Sequence, residues 1–302
     1  MTASPSFTAV IGVDLGGTSI KLGCFERDGT CTAERSIPTP QPSTPEAVIA
    51  VIATAITQID PDGRCGAIGI GAPGPVDLTE RISLVAINLA GWDNVPLAAA
   101  IEAQCQCPVV LGNDANCAGL GEAWLGAARQ WRNSIVLTLG TGVGGAIVLD
   151  GQLFTGHRGA AGELGLISIN PDGPACNSGN HGSIEQFCSV QAIRRDLGCE
   201  PLELSQRAEA GDAEAIAYWQ RYGRYLGIGL ANLIYVLTPE AIVLGGGISA
   251  GFDLFLPSVL EEIEARVLPT SREGLVIRVA ELGNRAGAIG AARLAWQRFG
   301  SV

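Results

Sequence analysis

The chain has 302 residues, of which 47% are hydrophobic, so it is not a disordered protein and is long enough for two domains or one large α/β unit. Its formal net charge of −11 and the absence of lysine or arginine runs argue against a nucleic-acid partner. No apolar stretch approaches the roughly 20 residues of a membrane-spanning helix, and the first residues lack the pattern of a secretory signal. We therefore expect a cytoplasmic protein without a membrane partner.

The first half of the chain predicts alternating strands and helices. Residues 7–25 have the pattern of an apolar strand, a Gly-Gly turn and a returning strand, which is typical of a β-hairpin. Thr44 is placed to cap a helix that begins with Pro45 and has apolar residues at helical spacing. The remaining predicted elements of this half are a strand at 67–74, a short helix at 97–104, a strand at 108–114 and a helix from Ala115. Such alternation favours a parallel or mixed sheet covered by helices.

The second half restarts the same pattern. Residues 135–149 repeat the order of residues 11–25, namely an apolar strand, a small polar residue, a glycine turn and an apolar strand. We interpret this repetition as the duplication of one structural unit. The later predicted elements are a long amphipathic helix at 214–237, a strand with a glycine turn at 241–249, and helices at 254–267 and 283–299.

The duplication predicts two α/β domains. We place a smaller N-terminal domain at residues 1–112 and a larger domain at residues 113–285. The closing helix, 286–302, is expected to pack back on the first domain.

Glycine turns directly follow apolar strands at three places, 14–18, 138–145 and 245–247. Such turns present backbone N–H groups with no side chain in the way, which suits a phosphate ligand. A glycine-rich chain can also have such hairpins for structural reasons alone, and none of the three matches the P-loop pattern. Their recurrence in this order favours a nucleotide held between the duplicated halves.

Asp14 stands at the end of the first strand. A carboxylate that faces phosphates repels them unless a divalent cation lies between, so Asp14 predicts Mg²⁺ bound through water. Lys21, on the returning strand, either adds positive charge to this site or is an ordinary solvated lysine.

Asn113 and Asp114 lie where a predicted strand ends and a helix begins, the ligand-facing rim of open α/β folds. Asp114 is placed to accept a proton from an attacking hydroxyl, with Asn113 bonding neighbouring hydroxyls. The structural alternative is that Asp114 merely caps the helix.

Six motifs together resemble the ROK family of sugar kinases and repressors, and in particular its glucokinases. They are VIGVDLGGTSIKLG, GIGAPGPVD, NLAGWDNVPL, GNDANCAGLGEAWLGAAR, LTLGTGVGGAIVLDGQLFTGHRGAAGELG and IVLGGGIS. The resemblance spans nearly the whole chain. It implies an α/β protein with the duplicated actin-like ATPase (ribonuclease H-like) fold, in two domains with a central cleft.

The resemblance also implies the roles of individual residues. Asp114 matches the general base that takes the proton of the sugar 6-hydroxyl as the γ-phosphoryl group of ATP is transferred. The matching sugar-binding residues are Asn113, Glu163 and Glu185. The residues that match the family's phosphate-binding turns and nucleoside side are Asp14, Gly16, Gly17, Thr18, Gly140, Thr141, Gly142, Gly245 and Gly246. We add Lys21, on the returning strand, and Thr138, at the start of the second glycine turn, to this site for ATP and Mg²⁺.

The segment GPACNSGNHGSIEQF, residues 173–187, departs from the family pattern. Family members usually bind zinc there through one histidine and three cysteines. The matching residues in this chain are Leu166, Cys176, Ser178 and Ser183, and serine is a poor zinc ligand. We therefore expect no structural zinc and a loop whose remaining task is to present Glu185 to the sugar.

The resemblance implies an ATP-dependent hexose kinase that converts D-glucose to glucose 6-phosphate and forms a homodimer or homotetramer. It also implies that the missing histidine lies beside the anomeric end of the sugar. Because Leu166 would remove that polar contact, mannose, fructose and N-acetylhexosamines stay open as substrates. A catalytically silent sugar sensor and polyphosphate as donor are further alternatives. The first ATP-site strand begins near Thr8, so we expect no room for the DNA-binding domain of the family's repressors.

Overall fold

The computed structural model describes residues 7–86 and 88–300. Residues 1–6 and 87 of the first predicted domain, and 301–302 of the predicted closing helix, lie outside the described residues. The described strands are β1 (Ala9–Leu15), β2 (Ser19–Glu26), β3 (Cys31–Pro38), β4 (Cys65–Ala72), β5 (Ser83–Val85), β6 (Asp93–Val95), β7 (Val109–Asn113), β8 (Ser134–Leu139), β9 (Val143–Leu149), β10 (Gln152–Leu153), β11 (Ala241–Gly245) and β12 (Val276–Val279). The described helices are α1 (Pro45–Ile59), α2 (Leu97–Cys105), α3 (Asp114–Trp124), α4 (Ile184–Cys188), α5 (Val190–Leu197), α6 (Pro201–Glu209), α7 (Ala213–Leu237), α8 (Phe252–Arg266), α9 (Pro269–Arg272) and α10 (Ala286–Phe299).

The first sheet has the strand order β3-β2-β1-β4-β7. Strands β1 and β2 form the antiparallel hairpin predicted from the sequence, with Asp14 opposite Lys21. Strands β4 and β7 run parallel to β1, and Asp14 is in register with Gly71 on β4. The next residue of β4, Ala72, is in register with Asn113 on β7. The carboxyl ends of these three strands therefore meet at one edge of the sheet, where Asp14 and Asn113 lie.

Helix α10 lies against β1 and β4 at a distance that only glycine permits. A Cβ atom at Gly12 of β1 would come within 1.9 Å of the Ala288 carbonyl oxygen, and one at Gly69 of β4 within 1.8 Å of the Ala291 carbonyl oxygen. Backbone therefore touches backbone at these two positions. The opposite face of the sheet packs on α1 through buried residues such as Ile52, so both faces are covered.

The second sheet has the order β10-β9-β8-β11-β12. Strands β8, β11 and β12 are parallel, and Thr138 at the end of β8 is in register with Gly245 at the end of β11. The two glycine turns that follow these strands thus share one edge of the sheet. Gly246 has a φ of +87°, and a Cβ atom there would lie 2.3 Å from the Leu139 carbonyl oxygen, so the second turn requires glycine.

Contacts between Cα atoms divide the described chain into two compact units. One runs to Arg129, includes Ala146–Ala161 and resumes at Leu282, so α10 belongs to it together with the first sheet. The other consists of Gln130–Gly145 and Gly162–Glu281. These bounds differ from the sequence-based division after residue 112, and the domain assignment stays a prediction.

Substitution of Gly69 by alanine should lower the free energy of unfolding by about 3 kcal/mol, because the new methyl group overlaps the backbone of α10. As a control, Gly63→Ala places a methyl group in open space, and only its φ of +61° opposes the change, at a cost of about 1 kcal/mol. Urea unfolding followed by circular dichroism measures both. Equal losses in the two variants would contradict the close approach of α10 to β4.

Candidate active site

Asp14 is a partly buried carboxylate near the end of β1. Its Oδ2 lies 3.8 Å from the Lys21 ammonium nitrogen, so the two side chains form an ion pair, and the role of Lys21 in an ATP site stays a prediction. Burial raises the pKa of Asp14 to about 6, the Lys21 charge opposes this rise, and the negative charge of Asp114 adds to it. On the other side Asp14 meets Gly287 of α10, where a Cβ atom would lie 2.6 Å from the carboxyl carbon. Sequence reasoning missed Gly287, because its role appears only when α10 folds back on β1.

The turn at Gly16, Gly17 and Thr18 is held from outside by a single residue. The hydroxyl of Thr39, just after β3, donates to the Gly16 carbonyl over 2.6 Å, and its N–H donates to the Thr18 carbonyl over 3.0 Å. Within the turn, the Gly16 N–H donates to the Ser19 carbonyl over 3.0 Å. The turn therefore has a fixed shape, and Thr39 is a second residue that no sequence motif identifies.

Asn113 caps α3, so the alternative that Asp114 serves merely as the cap is wrong. The Asn113 Oδ1 accepts the Asn116 N–H over 3.1 Å. The amide nitrogen of Asn113 donates to the Gly74 carbonyl over 3.0 Å and to Asp114 Oδ1 over 3.1 Å. Asn113 thus acts on Asp114 directly and locks its orientation.

Asp114 has one oxygen engaged and one open. Its Oδ1 accepts hydrogen bonds from the Ala115 N–H, over 2.8 Å, and from Asn113. Within residues 7–86 and 88–300, both hydrogen bonds that other residues donate to this carboxylate go to Oδ1, and the third donor is the N–H of Asp114 itself. Burial raises the pKa of Asp114, and the hydrogen bonds from Ala115 and Asn113 limit the rise. A carboxylate with one fixed and one open oxygen is suited to accept a proton from a bound hydroxyl.

In the second unit, the turn between β8 and β9 contains the predicted phosphate-binding residues Gly140, Thr141 and Gly142. The Gly140 N–H donates to the Gly142 carbonyl over 2.9 Å, which closes the turn. Thr138, the penultimate residue of β8, is in register with Gly245 on β11. The glycine positions predicted to bind the nucleotide in this unit therefore lie together at one sheet edge.

Glu163 and Glu185 are brought into one part of the second unit by a short bridge between their segments. Glu163 precedes a 3₁₀ turn at Leu164–Leu166, and Glu185 lies in the first turn of α4. The Ile184 N–H donates to the Ile167 carbonyl over 2.9 Å, and residues 168 and 183 pair as an isolated β-bridge.

The segment that resembles a zinc loop is closed by hydrogen bonds. Asn180 donates from its side chain to the Leu166 carbonyl over 2.9 Å, and its Oδ1 accepts the His181 N–H over 2.8 Å. The carbonyl of Asn180 accepts the Cys176 N–H over 2.7 Å, and Cys176 is buried. In the described part of the chain, no three His, Cys, Asp or Glu side chains are grouped so that they could hold a metal. The absence of structural zinc stays a prediction, and Asn180 is the residue that sequence reasoning overlooked.

Replacing Asp14 by asparagine should stabilise the protein at pH 7.5 in the absence of Mg²⁺. The folded-state pKa is about 6 and the ordinary value 3.8, so the folded protein binds the proton more tightly and loses stability as the pH rises between these values. We expect a gain of about 2 kcal/mol at pH 7.5 that disappears below pH 4, measured by urea unfolding. The exposed Asp62→Asn is the control. A loss of stability at pH 7.5 would contradict the burial of this charge.

Asn180→Ala should loosen the segment between Leu166 and Glu185, because it removes a donor and an acceptor at once. We expect faster hydrogen exchange in residues 166–184 and a loss of about 1 to 2 kcal/mol of stability. The matched control is Asn177→Ala, at an exposed position of the same loop. A melting temperature that falls on treatment of the wild-type protein with EDTA would show instead that a metal closes the loop.

The chain is similar to known sugar kinases over nearly its whole length. The chain is 35% identical to a glucokinase of Halalkalibacterium halodurans, over 97% of this chain and 96% of that protein. It is 33% identical to an N-acetyl-D-glucosamine kinase of Shigella flexneri, over 94% of this chain and 98% of that protein. No helix among the described residues is both long and apolar enough to cross a membrane.

Solved structures of sugar kinases are also similar to this chain over nearly its whole length. The ROK hexokinase of Thermus thermophilus superimposes with a TM-score of 0.87 at 34% identity, covering 96% of this chain and 98% of the other. A ROK family glucokinase of Streptomyces griseus, in complex with glucose and AMPPNP, gives a TM-score of 0.77 at 33% identity, covering 96% and 99%. The predicted actin-like ATPase fold is thereby confirmed. The family model for the ROK family matches residues 10–298, and the chain belongs to the ROK family.

Proposed function

We propose that this protein transfers the γ-phosphoryl group of ATP to the 6-hydroxyl of a hexose, with D-glucose as the first substrate. The observation that carries the proposal is the Asp114 carboxylate, partly buried, fixed through Oδ1 by Asn113 and Ala115, and open at Oδ2. Relatives named glucokinase and a neighbour that binds glucose with an ATP analogue support the same reaction.

Asp114 is the proposed general base. As the sugar oxygen attacks the γ-phosphorus, its proton passes to Asp114 Oδ2. Because burial raises the pKa of Asp114, this carboxylate is a stronger base than an exposed aspartate. Asn113 holds this carboxylate in place, and its amide hydrogens are already used by Gly74 and Asp114. We therefore assign Asn113 to positioning the base at least as much as to binding a sugar hydroxyl.

The residues present fit ATP and Mg²⁺. Mg²⁺ needs few protein ligands and keeps several waters, so the Asp14 carboxylate, together with the phosphates of ATP, would hold it through water. Bound Mg²⁺ supplies the positive charge that offsets the phosphates. Lys21, whose ammonium nitrogen lies 3.8 Å from Asp14 Oδ2, would add a second positive charge beside the phosphates. The glycine turns leave their backbone exposed to a ligand. At Gly140, for example, the space that a Cβ atom would occupy is open, and its nearest atom would be the Gly142 carbonyl oxygen at 4.0 Å.

The sugar side of the proposal rests on carboxylates. Glu163 and Glu185, together with Asp114, suit the hydroxyls of a neutral polyol and disfavour a sugar that is already phosphorylated. An N-acetylhexosamine is the second candidate substrate, because relatives named N-acetyl-D-glucosamine kinase align over 94% of the chain. A cytoplasmic location and a homodimeric or homotetrameric state are part of the same proposal.

Asp114→Asn should lower kcat for glucose at least a hundredfold with little change in KM, because the amide cannot accept the proton. The measurement is ADP release in a coupled assay with ATP and glucose, mannose, fructose or N-acetylglucosamine. Glu261→Gln, at an exposed position of α8, is the control and should leave turnover unchanged. Near-normal turnover in Asp114→Asn would reject the assigned base, and turnover highest with N-acetylglucosamine would favour the second substrate.

A further inference from the structure

Glu185 contacts the glycine turn that is proposed to bind phosphate. Its side chain leaves the first turn of α4, and its Oε2 accepts the Val143 N–H over 2.9 Å. Val143 is the first residue of β9 and directly follows Gly142. One oxygen of this proposed sugar-binding carboxylate is thus already bound to the end of the turn.

The fit between Glu185 and the turn is close. A Cβ atom at Gly142 would lie 2.3 Å from Glu185 Oε2, so the carboxylate occupies the space that a side chain at residue 142 would need. The other side of the turn is held by the same segment, since the Val190 N–H donates to the Gly140 carbonyl over 2.8 Å. The segment 185–190 therefore contacts the turn at both ends, through the Val190 N–H at Gly140 and through the Glu185 side chain at Val143.

We propose that Glu185 is a positioning residue for the phosphate-binding turn as well as a ligand of the hexose. Its Oε2 orients the turn through Val143, and its Oε1 is left for a hexose hydroxyl. This inference rests on the proposed kinase function. It adds that binding of the hexose and binding of the nucleotide are coupled through Glu185. A hydroxyl bound at Oε1 restrains the carboxylate, and a restrained carboxylate holds Val143, so the turn is already ordered when phosphates arrive.

Binding of the hexose should therefore strengthen binding of the nucleotide, and the reverse, by the same factor. A residue that only contacts the sugar would have no effect on nucleotide affinity in the absence of sugar. That difference separates the two roles of Glu185.

The test is the affinity of the full-length protein for AMPPNP with Mg²⁺, measured by calorimetry with and without glucose. Without glucose, Glu185→Ala should weaken AMPPNP binding about tenfold, whereas Glu185→Gln should stay within about twofold of wild type, because its amide oxygen still accepts the Val143 N–H. Glucose should tighten AMPPNP binding to wild type several-fold and have no such effect on Glu185→Ala. Glu261→Ala, in an exposed part of α8, is the matched control.

Gly142→Ala provides a second variant that does not remove the carboxylate. Its methyl group displaces Glu185 from the turn, so it should also weaken AMPPNP binding in the absence of glucose. Because Gly142 is itself assigned to the phosphates, the deciding measurement for this variant is the effect of glucose on AMPPNP affinity. Glucose should no longer tighten AMPPNP binding once Glu185 is displaced, and an effect of glucose as large as in wild type would overturn the positioning role. This measurement decides the question if Glu185→Ala fails to fold, as judged by circular dichroism.

Nucleotide affinity equal to wild type in the folded variants would overturn the positioning role while leaving the kinase proposal intact. Failure of the wild-type protein to bind AMPPNP or to phosphorylate any hexose would instead reject the kinase proposal. The two failures are therefore distinguishable from the same set of measurements.

Discussion

Two carboxylates brought to one edge of the first sheet are the constraint on which the proposed site depends. Asp14 lies near the end of β1, and Asp114 begins α3 directly after the parallel strand β7. Burial raises the pKa of Asp14 to about 6, and the negative charge of Asp114 adds to the rise. The unit tolerates this arrangement because Lys21 stands beside Asp14 and the amide of Asn113 and the Ala115 N–H bind Asp114. Burial of these charges costs stability, as is common where carboxylates with shifted pKa values serve a function.

The close approach of α10 serves the same site. Glycines in β1 and β4 let the helix backbone touch the strands, and Gly287 makes room for the Asp14 carboxyl group. A larger residue at any of these positions would move the helix or the carboxylate. In the second unit, hydrogen bonds of Glu185 and Asn180 link α4 to the start of β9 and the loop before α4 to the 3₁₀ turn at Leu164–Leu166.

Sequence reasoning predicted the hairpin of β1 and β2, the start of α3 and the long helix α7, because each has a strong apolar period bounded by turn or cap residues. It passed over β3, whose exposed polar residues carry no clear alternation, and the helices α5 and α6. Within the site it found the carboxylates and glycine turns, which lie in recognisable motifs. Thr39, Gly287 and Asn180 escaped it, because each reaches its partner through tertiary contact and none lies in a motif that signals its role.

The central claim is that Asp114 receives the proton of the sugar's primary alcohol. A crystal structure of the protein with glucose, AMPPNP and Mg²⁺ tests it most directly. The account predicts a distance of about 2.6 to 3.2 Å between Asp114 Oδ2 and the 6-hydroxyl oxygen, with Oδ1 still bound to Asn113. A 6-hydroxyl that lies beyond hydrogen-bonding reach of Asp114, or that instead contacts Glu163 or Glu185, would contradict it.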